Sequence, residues 1–434
     1  MSSVSSPTYA ERDRASEPEE RDLWLASGQW FLVVFLVVQF NMLTSVVDLP
    51  TSVAFLLIPL LGILVLLGSP KESIREAPVS LLAFALLMWL SISILWSTDQ
   101  TLTNFTVRTN VVGYVVVLLV VAVLPTERVI AALLAFARVC LVVSVGILVT
   151  DPATRATFEV STQSYILGWQ AGFIHKNSMG MAFVLLVAVL LVFDRPGWLR
   201  RLTLIGSVGL VFGSRSATAY GGLLVVVTTY LWFRRLQRQS VPGARSAYVL
   251  GTLLLTLIGV VFGILFAPTV LGLFGKDLTF TNRTDIWSVS WDYLRARPWL
   301  GYGLGALWFQ PTTEPTYSMD RAIGFDAAHA HNGPLDLALQ VGLIGVALYV
   351  AVFVNVVRRG MSYLFRFPDY ATWALMVCAA TLVMSVPENN MFGPDLAYLL
   401  IMYIVLLKLP LQHRDDPDPD DEDFDLSTLS SPSA

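Results

Sequence analysis

Residues 328–345 read AHAHNGPLDLALQVGLIG and set two histidines, an asparagine and an aspartate at the threshold of a long apolar run. The whole chain has only 4 histidines, so half of them stand at this one place. Asn332 is a good helix cap, and Gly333 and Pro334 suit a first turn. The apolar run from Leu335 then continues as a helix long enough to cross a bilayer. Asn332, Asp336 and Gln340 recur four residues apart, so a polar stripe enters the membrane on one helix face. Ionisable groups at such a depth are functional candidates.

Working outward, the remainder of the chain has the composition of an integral membrane protein. Of 434 residues, 55% are hydrophobic and 14% charged, whereas a soluble domain carries charge on about a quarter of its residues. Apolar runs that can cross a ~30 Å hydrocarbon core recur between short polar gaps, the pattern of helices rather than of a barrel. About twelve spans are expected, at 29–47, 53–68, 79–96, 111–124, 129–149, 178–193, 202–213, 217–233, 247–267, 333–357, 371–386 and 395–410. The expected fold is thus an all-α polytopic bundle with one large extracytoplasmic loop that carries short interfacial helices. Its parts are a disordered cytoplasmic tail (1–28), nine spans (29–267), the large loop (268–332), three further spans (333–410) and an acidic disordered tail (411–434).

Charge sets the orientation. With the amino terminus inside, about 18 basic residues fall on the cytoplasmic side and about 9 outside, the bias expected of a protein in the cytoplasmic (inner) membrane with both termini cytoplasmic. The formal net charge is −4, but the acids gather in the two tails and the body between them is near +6. A positive body suits an anionic lipid-linked partner, although arginines that merely hold topology account for most of it. EPEERD and DDPDPDDEDFD have too little apolar content to fold. The polar lead of 28 residues makes the first span a signal anchor rather than a cleaved leader. Cys140 and Cys378 fall in separate spans and read as apolar packing residues.

The loop at 268–332 is the one large enough to hold a site. Within it, TNRTDIWSVSWDYLRARPWLGYGLGALW (281–308) contains a helix with Asn282 or Thr284 as its cap and Ile286, Val289 and Tyr293 at helical spacing. Gly301, Gly303 and Gly305 permit a close approach of backbone to a ligand, but without a preceding strand or a Walker lysine they read first as a plain turn. Trp299, Tyr302, Trp308 and Phe309 can stack on sugars or anchor the interface.

His331 precedes a helix amino terminus, where an imidazole can take a proton from a hydroxyl near neutral pH and helix-end N–H groups favour an anion. The plainer alternative is that His331 and Asn332 only cap the helix. A metal site of His329, His331 and Asp336 is possible by residue type but lacks a third histidine nearby. Three other outward segments repeat the theme: AGFIHKNSMG with His175, Lys176 and Asn177, FGSRSATA with Arg215, and SVPENNMFG with Glu388. Small residues around Arg215 leave its guanidinium room to meet a bidentate anion such as a diphosphate. No Asp-x-Asp pair lies outside, so metal-bridged nucleotide-sugar binding has no residues to support it. No nucleotide loop or nucleic-acid module is present in the sequence either.

Taken in order, LSISILWSTDQTLTNFTVRTN (90–110, containing Arg108), GFIHKNSMG, GSRSATA, NRTDIW, RPWLGYGLGALW and HNGPLDLALQVGLIG resemble the O-antigen ligase and Wzy-type polymerase superfamily, most closely its ExoQ-like exopolysaccharide polymerases. The resemblance implies a glycosyltransferase without cofactor or metal, whose donor is a glycan on undecaprenyl diphosphate and whose reaction lies on the extracytoplasmic side. It implies His331 as the base and Arg215 and Arg283 as holders of the diphosphate. Many relatives have glutamate where this chain has Asp336, so a catalytic carboxylate there would act with a shorter reach. The implied product is an extracellular polysaccharide, with a flippase and a chain-length regulator as partners. Ligation of a finished glycan to a terminal acceptor is the alternative within the family, and transport of the lipid-linked sugar is one outside it.

Overall fold

A computed structural model describes residues 9–40, 51–159, 164–239, 243, 245–246, 283–308, 314–389, 391 and 394–412. Among them the chain is helical apart from one antiparallel hairpin, Ala156–Glu159 paired with Ser164–Leu167. The helices are α1 (Tyr9–Gln39), α2 (Thr51–Leu67), α3 (Lys71–Arg75), α4 (Leu81–Ile92), α5 (Gln100–Thr106), α6 (Val112–Val123), α7 (Thr126–Thr150), α8 (Lys176–Phe193), α9 (Trp198–Gly213), α10 (Ala217–Gln237), α11 (Arg283–Ala296), α12 (Thr316–Ile323), α13 (Gly333–Ser362), α14 (Pro368–Ser385) and α15 (Pro394–Gln412). A π-helical turn at Val107–Val111 joins α5 to α6.

Six of the described helical stretches are long and apolar enough to cross a membrane: Glu20–Gln39, Gln100–Val123, Thr126–Thr150, Lys176–Phe193, Gly333–Ser362 and Asp395–Gln412. Other expected spans fall on helices α2, α4, α9, α10 and α14, which are shorter or less apolar. The span expected at 247–267 and the acidic tail beyond residue 412 lie outside the described residues. One boundary shifts: α1 begins at Tyr9, so most of the leading segment expected to be disordered continues the first helix. Its Ala, Glu and Arg residues are good helix formers, and an apolar helix already nucleated next to them extends at little cost.

The centre of the bundle is filled by Tyr114, Phe136, Phe183, Tyr349, Trp373 and Tyr398, all under 2% exposed. Helix α8 is buried on nearly every side between α9, α10 and α14. The connections segregate to two ends. At one end Lys408 donates to the carbonyls of Val121 and Leu124, Thr126 and Gln412 are hydrogen-bonded, and Gln237 reaches Pro368 O at 3.2 Å. At the other end meet residues 168–177, 213–216, 283–308, 314–332 and 386–389, through Trp169 N to Gly213 O (2.9 Å) and the contacts described below.

Helix α13 is broken. Gly342 has φ +70° and ψ 178°, a combination only glycine visits freely. Residues 298–305 fill the break as a wedge of backbone. Tyr302 N and Gly303 N donate to the carbonyls of Leu339 and Gln340, each at 2.8 Å, and Leu343 N donates to Pro298 O at 2.8 Å. Residues 89–98 hold the wedge from behind: Trp89 Nε1 reaches Val341 O (2.9 Å), Trp96 Nε1 reaches Leu300 O (2.8 Å), and Thr98 N reaches Tyr302 O (2.9 Å). Backbone groups freed by the break are thereby paired, as burial demands. The GYGLG segment does bring backbone into close contact with something, but with the chain itself: Gly301 lies against Leu339 and Gln340 of α13, Gly303 against Ser97 and Gly305 against Thr106.

Candidate active site

Glu388 joins four segments. It follows α14, is 4% exposed, and its Oε1 accepts from Arg283 Nη2 at 2.9 Å and from Asn177 Nδ2 at 2.7 Å. Its Oε2 lies 3.4 Å from Nδ1 of His331. Burial works against a charge on Glu388, but the His331 imidazole beside it and the Arg283 guanidinium outweigh that and hold the carboxyl down to about 2. The carboxylate is therefore ionised at neutral pH and aimed at one nitrogen of the imidazole.

His331 is presented by a backbone conformation that side chains seldom adopt, with φ +48°. The turn is set locally. Asn332 Oδ1 caps α13 by accepting from Leu335 N at 3.1 Å, and His331 N donates to Nδ1 of His329 at 3.1 Å. Nδ1 of His331 is buried and has no hydrogen-bond partner at the 3.4 Å separation from Glu388, while the side chain as a whole remains 27% exposed. Nε2 is the ring nitrogen turned away from the carboxylate. The His329 ring lies 4.0 Å from that of His331, centre to centre. Burial, reinforced by the neighbouring His331 imidazole, lowers the His329 pKa from 6.5 to about 3, so this ring is neutral.

Distances alone would let His329, His331 and Glu388 share a metal ion, since one donor atom from each lies within 4.8 Å of the others. The donor chemistry fits poorly. Nδ1 of His329 already accepts a backbone N–H, which leaves the proton of the neutral ring on Nε2, and Glu388 is neutralised by Arg283. A metal-bound histidine instead offers one lone pair to the ion and donates from its other nitrogen.

The expected site residues divide sharply. His331, Asn332, Arg283, Asn177 and Glu388 come together. His175 caps α8, its Nδ1 accepting from Asn177 N at 3.2 Å. Lys176 runs beside Gly168, where an added Cβ would stand 2.6 Å from Lys176 Cδ and 2.9 Å from Ser214 O. The neighbouring Arg215 is exposed, has φ +51°, and has no side-chain partner among the described residues. Arg108 is exposed on the π-helical turn and is likewise without a partner among the described residues. Trp299 is 64% exposed.

Two expectations change. Tyr302 is 5% exposed, and its hydroxyl donates to Tyr293 O at 3.0 Å, so it offers no face to a sugar. It is held there by the wedge. Asp336 is fully buried, with Oδ1 accepting from Ala330 N at 3.0 Å and Oδ2 accepting from Gln340 Nε2 at 2.5 Å and Asn389 Nδ2 at 2.7 Å. A carboxylate so occupied has no free edge for substrate. Phe309 lies outside the described residues. Asn389 escaped the sequence reading, and its only signal there was its place beside Glu388 in PENN.

Residues 202–350, about a third of the chain, match the family model described as O-antigen ligase. That segment contains Arg215, Arg283, His331 and Asp336. An 88-residue stretch is 35% identical to the exopolysaccharide production protein ExoQ of Rhizobium meliloti (strain 1021), covering 20% of each chain. The alignment thus spans about a fifth of that relative's length. These matches support the resemblance to O-antigen ligases and ExoQ-like proteins, and with the apolar helices they mark a multi-pass membrane protein.

Proposed function

We propose, for a chain whose central third is O-antigen-ligase-like, that it polymerises oligosaccharide repeat units carried on undecaprenyl diphosphate into an extracellular polysaccharide at the outer face of the inner membrane. The observation that carries this reading is the pairing of His331 with an ionised, buried Glu388. A carboxylate 3.4 Å from Nδ1 needs only a small approach to hydrogen-bond that nitrogen and leave Nε2 to present its lone pair, the arrangement required of a general base.

In the proposed reaction Nε2 of His331 takes the proton from a sugar hydroxyl of the acceptor. The freed oxygen bonds to the anomeric carbon of the donor as the bond from that carbon to the diphosphate breaks. The electron pair leaves with the diphosphate, and the imidazolium then gives its proton to solvent. Glu388 supports the imidazolium. Arg215 and Lys176 supply positive charge where the leaving diphosphate gains negative charge, and a contact with donor or acceptor is assigned in this reading to Arg108 and Trp299, both exposed. Arg283, implied by the family resemblance to hold the diphosphate directly, spends two of its donor nitrogens on Glu388 Oε1 and Pro387 O. It acts chiefly by keeping Glu388 charged and oriented.

Because the donor arrives activated, these side chains suffice and no cation is required. The test is a purified full-length protein in nanodiscs, given an extracted polyprenyl-diphosphate-linked repeat unit in buffer containing EDTA. Parent protein is expected to lengthen the glycan, and His331→Ala to lose at least ~100-fold, the lower range of general-base contributions. Equal rates for the two proteins would remove His331 from the chemistry. A requirement for added metal would give His329, His331 and Glu388 a ligand role. The family description also fits ligation of a finished glycan to a terminal acceptor. Single repeat units accumulating on lipid in a deletion strain indicate polymerisation, and long chains indicate ligation.

A further inference from the structure

We infer that Asp336 is a positioning residue that locks the Glu388 loop and the His331 loop into one register through a single buried carboxylate. The inference rests on His331 acting as the base, as proposed above. Oδ1 of Asp336 accepts from the backbone N of Ala330, the residue immediately before His331, and Oδ2 accepts from the side chain of Asn389, the residue immediately after Glu388. The two halves of the base pair come from loops more than fifty residues apart in sequence. Asp336 bonds to both.

The carboxylate is itself held in place. Gln340, one turn further along α13, donates to Oδ2 and accepts Gly305 N through Oε1 at 2.9 Å, so the chain of bonds ends on the wedge at the helix break. Fixing the Ala330 peptide matters because His331 sits at φ +48°, a conformation that persists only where its surroundings over-determine it. Freed from Asp336, the 329–331 turn can relax to ordinary dihedrals and carry the ring away from Glu388. Asp336 touches no open surface, so its effect on transfer must pass through these bonds. Its short side chain suits the task, since it reaches back over one helical turn to Ala330 while still meeting Asn389.

The experiment uses the nanodisc assay with the extracted lipid-linked repeat unit, varying donor concentration. Asn389→Ala is the main probe, because the residue is only half-buried and its loss leaves Asp336 its other two partners. Asp336→Asn, which puts an N–H₂ where two donors point, is the companion. Both are expected to lower kcat about 10- to 100-fold, the scale of a slight misplacement of a reacting group, with KM for the donor within twofold and melting temperature near that of the parent for Asn389→Ala. In a Glu388→Gln background the further loss from Asn389→Ala is expected to shrink to within twofold, because the bond then supports a pair already broken.

A parent-like kcat for Asn389→Ala, an equal loss in both backgrounds, or a rise in KM alone would overturn the coupling. The controls separate the two readings. If His331→Ala and Glu388→Gln keep the parent rate, the base assignment fails and the coupling with it. If both lose activity while Asn389→Ala is normal, only the coupling fails.

Discussion

His329 stands behind the proposed base and stays neutral, its pKa pushed from 6.5 down to about 3. The unfolded chain takes up a proton at this residue near pH 6.5, and the folded chain refuses it. Stability linked to His329 is therefore full above pH 6.5 and lost as the pH falls towards 3, reaching about 2 kcal/mol by pH 5. His329→Asn is expected to melt with a shallower decline between pH 7 and 5 than the parent, a window above the range in which Glu388 titrates. An identical decline in both proteins would place the acid sensitivity elsewhere. The site was partly legible at this scale. His331 announced itself by its place before a capped helix, and Glu388 by its lone acid in an outer turn. That the two face each other was not legible, because the contact joins residues 57 positions apart, and no local pattern encodes it.

At the scale of the element, α13 is the part the sequence described best and least well. Its start was evident from Asn332, Gly333 and Pro334, and the cap forms as expected. Its break was hidden, because Gly342 in QVGLIG sits in an apolar run that reads as continuous helix and the wedge comes from residues 298–305. An added Cβ at Gly342 would stand 2.0 Å from Trp299 O, in a backbone conformation closed to other residues. Gly342→Ala is expected to destabilise the protein by at least about 2 kcal/mol, from left-handed strain together with the displaced wedge. Gly209→Ala, where nothing lies within 4 Å, is the control and is expected to melt like the parent. Thermal unfolding in detergent compares them. Close approach to Leu339 O, Ser97 and Thr106 at Gly301, Gly303 and Gly305 explains the three glycines in GYGLG without any phosphate to bind.

Across the whole molecule the hydrophobic runs gave the helices, since a run that crosses hydrocarbon must pair its backbone internally. The number of spans was harder to read, because α2 and α9, of 17 and 16 residues, fall short of the ~20 residues that cross a bilayer. Sidedness is directly testable. Cys140 and Cys378 are both buried, so a cysteine introduced at an exposed site is the one a membrane-impermeant maleimide will reach. Trp299→Cys is expected to react in right-side-out vesicles and Arg238→Cys only after permeabilisation. The reverse pattern would invert the proposed topology and move the site to the cytoplasm.

The broken helix also bears on how the protein is made. The carbonyls of Leu339, Gln340 and Val341 are satisfied by groups from residues 89, 302 and 303, all of which leave the ribosome before α13 does. Those partners are therefore made first and meet their carbonyls only when α13 follows. Without them the carbonyls at the break would stand unpaired in hydrocarbon, a cost of several kcal/mol for each group. The break can therefore form only where residues 89, 302 and 303 stand against it.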